Sequence, residues 1–219
     1  ALLAQLTAKT LGIHGDAIAL DAACASSLYA VELACRQLRA GQLDAALTIG
    51  INRADSAYLF IGFSQLYALS KRGMPEPLGS NADGLVVGEG AAAVLLKRLD
   101  DAVAAGDTIH GVIRAGSLGN DGLSGNLLSP NTTGQLRCLA QAYSTSHLPF
   151  SSIGYLECHA TGTPVGDRSE LDAIRQLLAE TDEAPKTPIV LSSAKALIGH
   201  TVTAAGLAGL IRAVGAVRD

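Results

Sequence analysis

Cys24 lies in the run DAACASSLYAVELACRQL, residues 21–38. An apolar run at 17–20 precedes it, and a segment long enough for a helix follows. A thiol at such a boundary meets backbone N–H groups without intrahelical partners and the positive end of the helix dipole, both of which favour the thiolate. The same N–H groups can hold the oxygen of a carbonyl under attack. Nucleophilic chemistry also needs a partner, and two clusters offer one. In YLECHATGTPVGD, residues 155–167, His159 lies just beyond a predicted strand, where open α/β sheets place ligand sites. Thr161 and Thr163 add hydroxyls at alternate positions. An imidazole there donates to a developing oxyanion or moves a proton; the plainer reading is a histidine satisfied at a turn. In SSAKALIGHTVTAAG, residues 192–206, His200 stands at the mouth of an apolar helix, where the dipole keeps the ring neutral. Lys195, just upstream, is either a solvated lysine or a group that orients water or a histidine and raises the local positive potential.

Other chemistries fit less well. One cysteine and two histidines are raw material for zinc, but they lack short metal spacing and a further acidic or thiol ligand, so no metal is expected. Ser26 and Ser27 lie in no GxSxG turn, which disfavours a serine hydrolase. GNDGLSGN is not a GxGxxG fingerprint, so a dinucleotide site has no support. The four cysteines form no CxxC pair, and Cys35 and Cys138 read as core packing; a reduced, cytoplasmic setting is the simplest account. A formal charge of −4 gives no reason to expect nucleic acid or an anionic membrane surface. No apolar stretch reaches the roughly 20 residues of a membrane span. No signal peptide is recognisable, and Ala1 suggests a trimmed or processed terminus.

The elements that must carry these groups alternate. The 219 residues are 48% hydrophobic and 16% charged, with 24 glycines, which suits tightly packed α/β layers. Strands are predicted at 17–21, 45–51, within 85–96, near 109–116, at 152–158 and at 188–193. Helices are predicted at 25–40, 56–68, 100–105, 133–145, from Asp167 to about 180, and at 201–217. The first long helix is apolar almost all round and reads as buried. Asp167 reads as a helix cap, with Glu170 completing a capping box. Residues 69–83 form a long irregular connection, and 118–126 are turn-rich. The strand–helix rhythm favours a mostly parallel sheet covered by helices.

DAACASSL around Cys24, ECHATGTPVGD around His159 and KALIGH around Lys195 and His200 closely resemble the three active-site motifs of β-ketoacyl synthases. The similarity is nearest to ketosynthase domains of polyketide and polyunsaturated-fatty-acid synthases. GFSQLYALSKRG, NADGLVVGEGAAAVLLKRLDDAVAAGD and IHGVIRAGSLGNDG resemble that family too, in the same order. Thiolases use a second cysteine, and chalcone-synthase-like enzymes an asparagine, where this chain has His200. There are departures: Ala160 stands where many members have glycine, and Leu78–Gly79 replace a phenylalanine–aspartate pair, although Asp83 remains.

The resemblance implies a thiolase-like layered α/β fold. Residues 1–219 would be the central part of the domain, from the end of its N-terminal half to the start of its C-terminal half. It would be incomplete at both ends and so incomplete as a catalyst. The implied reaction is decarboxylative Claisen condensation. Cys24 takes an acyl group as an acyl-enzyme, and His159 and His200 stabilise the enolate formed from a malonyl-type extender. Lys195 would support the histidines. The domain itself would bind no cofactor: substrates ride on the phosphopantetheine arm of acyl carrier protein, which Thr161 and Thr163 would hydrogen-bond. Acyl carrier protein, a second copy in a homodimer and adjoining synthase domains are the implied partners. A non-elongating acyl-transfer ketosynthase and a non-catalytic structural fragment are the alternatives.

Overall fold

A computed structural model describes residues 2–55, 57–122, 129–181, 185 and 187–218. Helix α1 (Leu2–Leu11) comes first, and a 3-10 turn at Ala23–Ala25 runs directly into α2 (Ser26–Arg39). Val31, Ala34, Cys35 and Leu38, spaced three or four apart, form the buried face of α2. Strand β1 (Ala45–Asn52), helix α3 (Ala57–Gln65), strand β2 (Gly90–Lys97) and helix α4 (Leu99–Ala105) follow. Then come α5 (Thr132–Ser146), β3 (Tyr155–Glu157), α6 (Pro164–Ala179), β4 (Val190–Ser192), the short α7 (Lys195–Ile198) and α8 (Ala205–Arg218).

Among the described residues, two small sheets organise these elements. β1 and β2 form an antiparallel ladder from Ala45 opposite Lys97 to Asn52 opposite Gly90. Helices α2 and α8 cover one face of it, burying Thr48 and Gly50. The other face leaves Ile49, Ile51 and Leu95 exposed. β3 and β4 pair in parallel, Tyr155 with Val190 through Glu157 with Ser192. Beside them α5 packs on α6, around a core of Phe150, Cys158, Ala160, Ile174 and Leu177. Helix α8 touches both sheets: Leu207, fully buried, packs with Val31 and Cys35 of α2, and Gly209 lies beside the Glu157 side chain of β3.

The expected rhythm is present, but strand direction is not as expected. The longer ladder is antiparallel, because β2 returns alongside β1 after α3 and the irregular connection; hydrophobic periodicity carries no information about direction. Residues 17–21 and 109–116 are not strands among the described residues, because neither finds a ladder partner. Of 118–126, residues 123–126 lie outside the described residues. Helix α2 is not buried all round, since Leu28 and Leu33 are exposed. Helix α6 begins earlier than expected, with Thr163 as its N-cap residue and Pro164 in the first turn. Among the described residues no helix is long and apolar enough to cross a membrane.

Close approach at Gly50 lets β1 lie against α2 and the turn before α8. A Cβ there would fall 2.9 Å from the Ala204 Cα and 3.1 Å from the Ser27 Cβ. Gly50→Ala is therefore expected to lower the unfolding free energy by about 1–3 kcal/mol, measured by urea denaturation. Gly215→Ala, where no atom lies within 4 Å of the added carbon, is expected to be neutral or stabilising. Equal effects of the two substitutions would contradict this packing.

Candidate active site

Parallel pairing puts the C-terminal ends of β3 and β4 on the same side. The chain leaving β3 reaches His159, and the chain leaving β4 reaches Lys195 and then His200. A third segment fixes the height of His200. Val87 forms a parallel bridge with His200; the His200 N–H donates to the Val86 carbonyl (2.7 Å), and the Gly88 N–H to the His200 carbonyl (2.9 Å). A Cβ on Gly88 would collide with the Ile198 carbonyl oxygen, so glycine is what permits this approach. The same segment reaches the His159 loop, where the Gly84 N–H donates to the Gly162 carbonyl (2.9 Å).

Cys24 is held at the mouth of α2 by a braced turn. The Asp21 carboxylate accepts from the Ala23 N–H (2.8 Å). Ser26 Oγ accepts from the Ala22 N–H (2.9 Å) and donates to the Ala23 carbonyl (2.7 Å). Ala23 has φ of 50°, and Val202, two residues past His200, has φ of 42°. Both are costly for residues with a Cβ, and strain of this kind concentrates at functional sites.

These supports bring Cys24, His159 and His200 together. His200 Nε2 lies 3.0 Å from Cys24 Sγ. The two imidazole rings meet edge to face, with centroids 5.5 Å apart and planes at 83°. The sulfur and a ring nitrogen from each histidine all lie within 4.8 Å of one another. His200 is fully enclosed, Cys24 is half-buried, and His159 occupies the solvent-facing side. Lys195 is buried, which removes the reading of a solvated lysine.

Carboxylates hold the two loops. Glu170 accepts the backbone N–H groups of His159 and Ala160, both at 2.7 Å. Asp167 accepts those of Thr161 (3.0 Å), Gly162 (3.1 Å) and Leu78 (2.7 Å). Neither residue caps its own helix; the capping-box reading is corrected, because the loop before α6 folds back over the first turn and presents its own N–H groups. Glu157 accepts the Ala194 N–H, tying β3 to the start of the Lys195 segment, and Ser193 Oγ donates to the Ala160 carbonyl (2.8 Å). The Thr161 and Thr163 hydroxyls lie 2.9 Å apart and bond to each other. Glu170, Asp167 and Glu157 are the site residues that sequence reasoning missed. Their only signal was acidity: two carboxylates at i and i+3 immediately after the His159 loop, and one immediately before it.

Burial dominates the electrostatics. It raises the Cys24 thiol above its ordinary value, with Lys195 and the cysteine's own backbone N–H opposing. The expected thiolate is thus corrected: a helix N-terminus contributes roughly 0.3–1 kcal/mol, and here desolvation outweighs it. Burial first, then His159 and Lys195, push His200 down to about 3. Desolvation and Lys195 likewise lower His159, although its open side keeps it in touch with water. Burial lowers Lys195 itself, countered by Glu170 and Glu157. Burial beside Glu170 and Glu157 drives Cys158 up to about 12, which suits a packed neighbour rather than a second nucleophile. The arrangement is a neutral thiol hydrogen-bonded to a neutral imidazole, with a second imidazole facing the same space.

Comparison with known proteins agrees with the geometry. Residues 1–102 match the beta-ketoacyl synthase N-terminal domain and residues 110–219 its C-terminal domain. The ketosynthase from module 6 of the bacillaene synthase of Bacillus subtilis superposes with a TM-score of 0.91 at 34% identity, over 96% of this chain and 38% of that one. A PfaC keto synthase–chain length factor superposes at 0.89 with 40% identity, over 95% of this chain and 22% of that one. A phenolphthiocerol/phthiocerol polyketide synthase polypeptide of Mycobacterium tuberculosis is 43% identical over 212 residues, 97% of this chain. The chain spans about a tenth of the length of that curated relative. Fold and comparisons together define a thiolase-like α/β scaffold. The chain belongs to the β-ketoacyl synthase family.

The depressed His200 pKa sets a pH dependence. Its folded value near 3 lies below the ordinary 6.5, so between those limits the unfolded chain binds more protons. This residue's contribution to stability is complete above about 6.5 and falls as pH drops toward 3. Urea denaturation at pH 7 and pH 5 is expected to show a smaller acid loss in His200→Asn than in the natural sequence. An unchanged difference would place His200 in water.

Proposed function

We propose that the protein carrying this chain is a condensing acyltransferase. It loads an acyl chain on Cys24 and extends it with a malonyl-type unit borne by acyl carrier protein. The observation that carries the reading is the 3.0 Å approach of His200 Nε2 to Cys24 Sγ with His159 facing the same space. In loading, the sulfur attacks a thioester carbonyl, the Cys24 proton passes through His200 to the departing thiol, and an acyl-cysteine remains. In extension, the malonyl carboxylate leaves as carbon dioxide, and negative charge gathers on the thioester oxygen. Neutral imidazoles at His159 and His200 can each donate one N–H to that oxygen. The carbanion then attacks the acyl-cysteine carbonyl, the C–S bond breaks, and the Cys24 thiolate that leaves takes a proton from solvent. Neutrality suits this role, because desolvated N–H donors stabilise developing charge without first giving up a proton.

Lys195 serves in this scheme as a buried cation that raises the potential at the enolate and keeps both rings deprotonated. Thr161 and Thr163 are the proposed hydroxyls for the phosphopantetheine arm; each keeps acceptor capacity after their mutual bond. Acyl carrier protein, adjoining synthase domains and a second copy in a homodimer are the proposed partners, in the cytoplasm. Exposed Leu2, Leu3, Leu6 and Leu11 on α1 support burial against further polypeptide.

In the full-length protein, Cys24→Ala is expected to abolish acyl-enzyme formation, read by intact-protein mass spectrometry, while malonyl decarboxylation survives. His159→Ala is expected to lower condensation about 10²–10³-fold and acylation much less, since it removes one donor to the enolate; His200→Ala, which also removes the proton path of loading, is expected to lower both, condensation more. Normal acylation of Cys24→Ala would refute the nucleophile. Acylation without condensation in the natural sequence would favour a transfer-only domain, and no acylation at all a structural one.

A further inference from the structure

The same three side chains satisfy a second chemistry that their positions in the sequence concealed. Sγ of Cys24 and a ring nitrogen each from His159 and His200 lie within 4.8 Å of one another. In a tetrahedral zinc site, ligands about 2.3 Å (sulfur) and 2.0–2.1 Å (nitrogen) from the metal lie roughly 3.3–3.6 Å apart. The Cys24–His200 pair, at 3.0 Å, is already slightly inside that spacing. His159, the exposed member, lies no more than 4.8 Å from the other two, so it must close by at most about 1.5 Å to reach that spacing. Two imidazoles and one thiolate with the fourth position open is the ligand count of sites that bind zinc and keep room for water. The nearby Lys195 ammonium opposes a dication, and the Glu170 and Glu157 carboxylates facing that ammonium offset it.

We propose that Cys24, His159 and His200 form a three-ligand site for a thiophilic divalent cation, zinc foremost, which blocks the nucleophile reversibly. The metal enters from the His159 side, a Zn–S bond replaces the Cys24 S–H bond, and the thiol proton goes to solvent with no change of oxidation state. Zinc is then an inhibitor and not a resident cofactor, so the condensation chemistry still runs on the metal-free site. The inhibitory consequence rests on the proposed acyl transfer; the binding does not.

Cobalt(II) serves as the probe in the full-length protein after chelator treatment. One equivalent is expected to produce a near-ultraviolet thiolate-to-cobalt band with the visible bands of a four-coordinate ion, and zinc is expected to remove both. Iodoacetamide capping of Cys24 in the natural sequence, and Cys24→Ala, are expected to abolish the charge-transfer band. His159→Ala and His200→Ala should weaken binding at least tenfold. Absence of the band in the uncapped protein, or its full persistence after capping, would overturn the site. Micromolar zinc should also slow Cys24 acylation at least tenfold, with recovery on adding a chelator. A protein that shows the band but never acylates would retain the metal site and lose the acyl-transfer reading. One that acylates normally without a band would do the reverse.

Discussion

The site depends on carboxylates that accept backbone N–H groups of loops. Glu170 takes two from the His159 loop, Asp167 takes two from the turn after it and one from the 69–83 connection, and Glu157 takes one from the start of the Lys195 segment. Irregular backbone leaves N–H groups without ladder partners, and burying them unsatisfied costs about 1–3 kcal/mol each. An ionised carboxylate with two oxygens can serve several at once and makes stronger bonds than a neutral acceptor. Two of those carboxylates, Glu170 and Glu157, in turn interact with the positive charge of the buried Lys195. Loop geometry and site electrostatics are thus one arrangement.

Desolvation then decides the protonation states. A dipole and a nearby ammonium both favour a thiolate at Cys24, yet burial prevails and leaves a neutral thiol against a neutral imidazole. A neutral pair keeps the sulfur from persistent ionisation while providing a short path for its proton once an acyl donor arrives. Two neutral rings also mean two N–H donors that do not need a counter-ion. Strained backbone lies close to each member of this pair in the chain, at Ala23 just before Cys24 and at Val202 two residues past His200, and the Val86–Gly88 segment holds His200 itself.

Much of this is legible in the sequence. Cys24, His159 and His200 each sit where an apolar run gives way to glycine, small or polar residues, and such boundaries place side chains at the ends of elements. Whereas no helix was expected at α1, Leu2–Leu11, spacing of three and four made α2, α5 and α6 readable. Strand direction was not, since β1 and β2 alternate identically whether parallel or antiparallel. Residues 17–21 have the composition of a strand but no neighbour to pair with among the described residues, and pairing is a tertiary property. Asp167 and Glu170 were misread because acids one helical turn apart look like a capping box, and only the folded loop shows whose N–H groups they accept. Lys195 was equally opaque: a lysine shows its burial only when carboxylates distant in sequence surround it.

The central claim is a desolvated thiol–imidazole contact, and histidine side-chain nitrogen NMR of isotope-labelled protein reads it directly. The account predicts His200 nitrogen shifts of a neutral ring at every pH from 5 to 8, displaced when Cys24 is replaced by alanine. A His200 that titrates near 6.5 and ignores that replacement would contradict it.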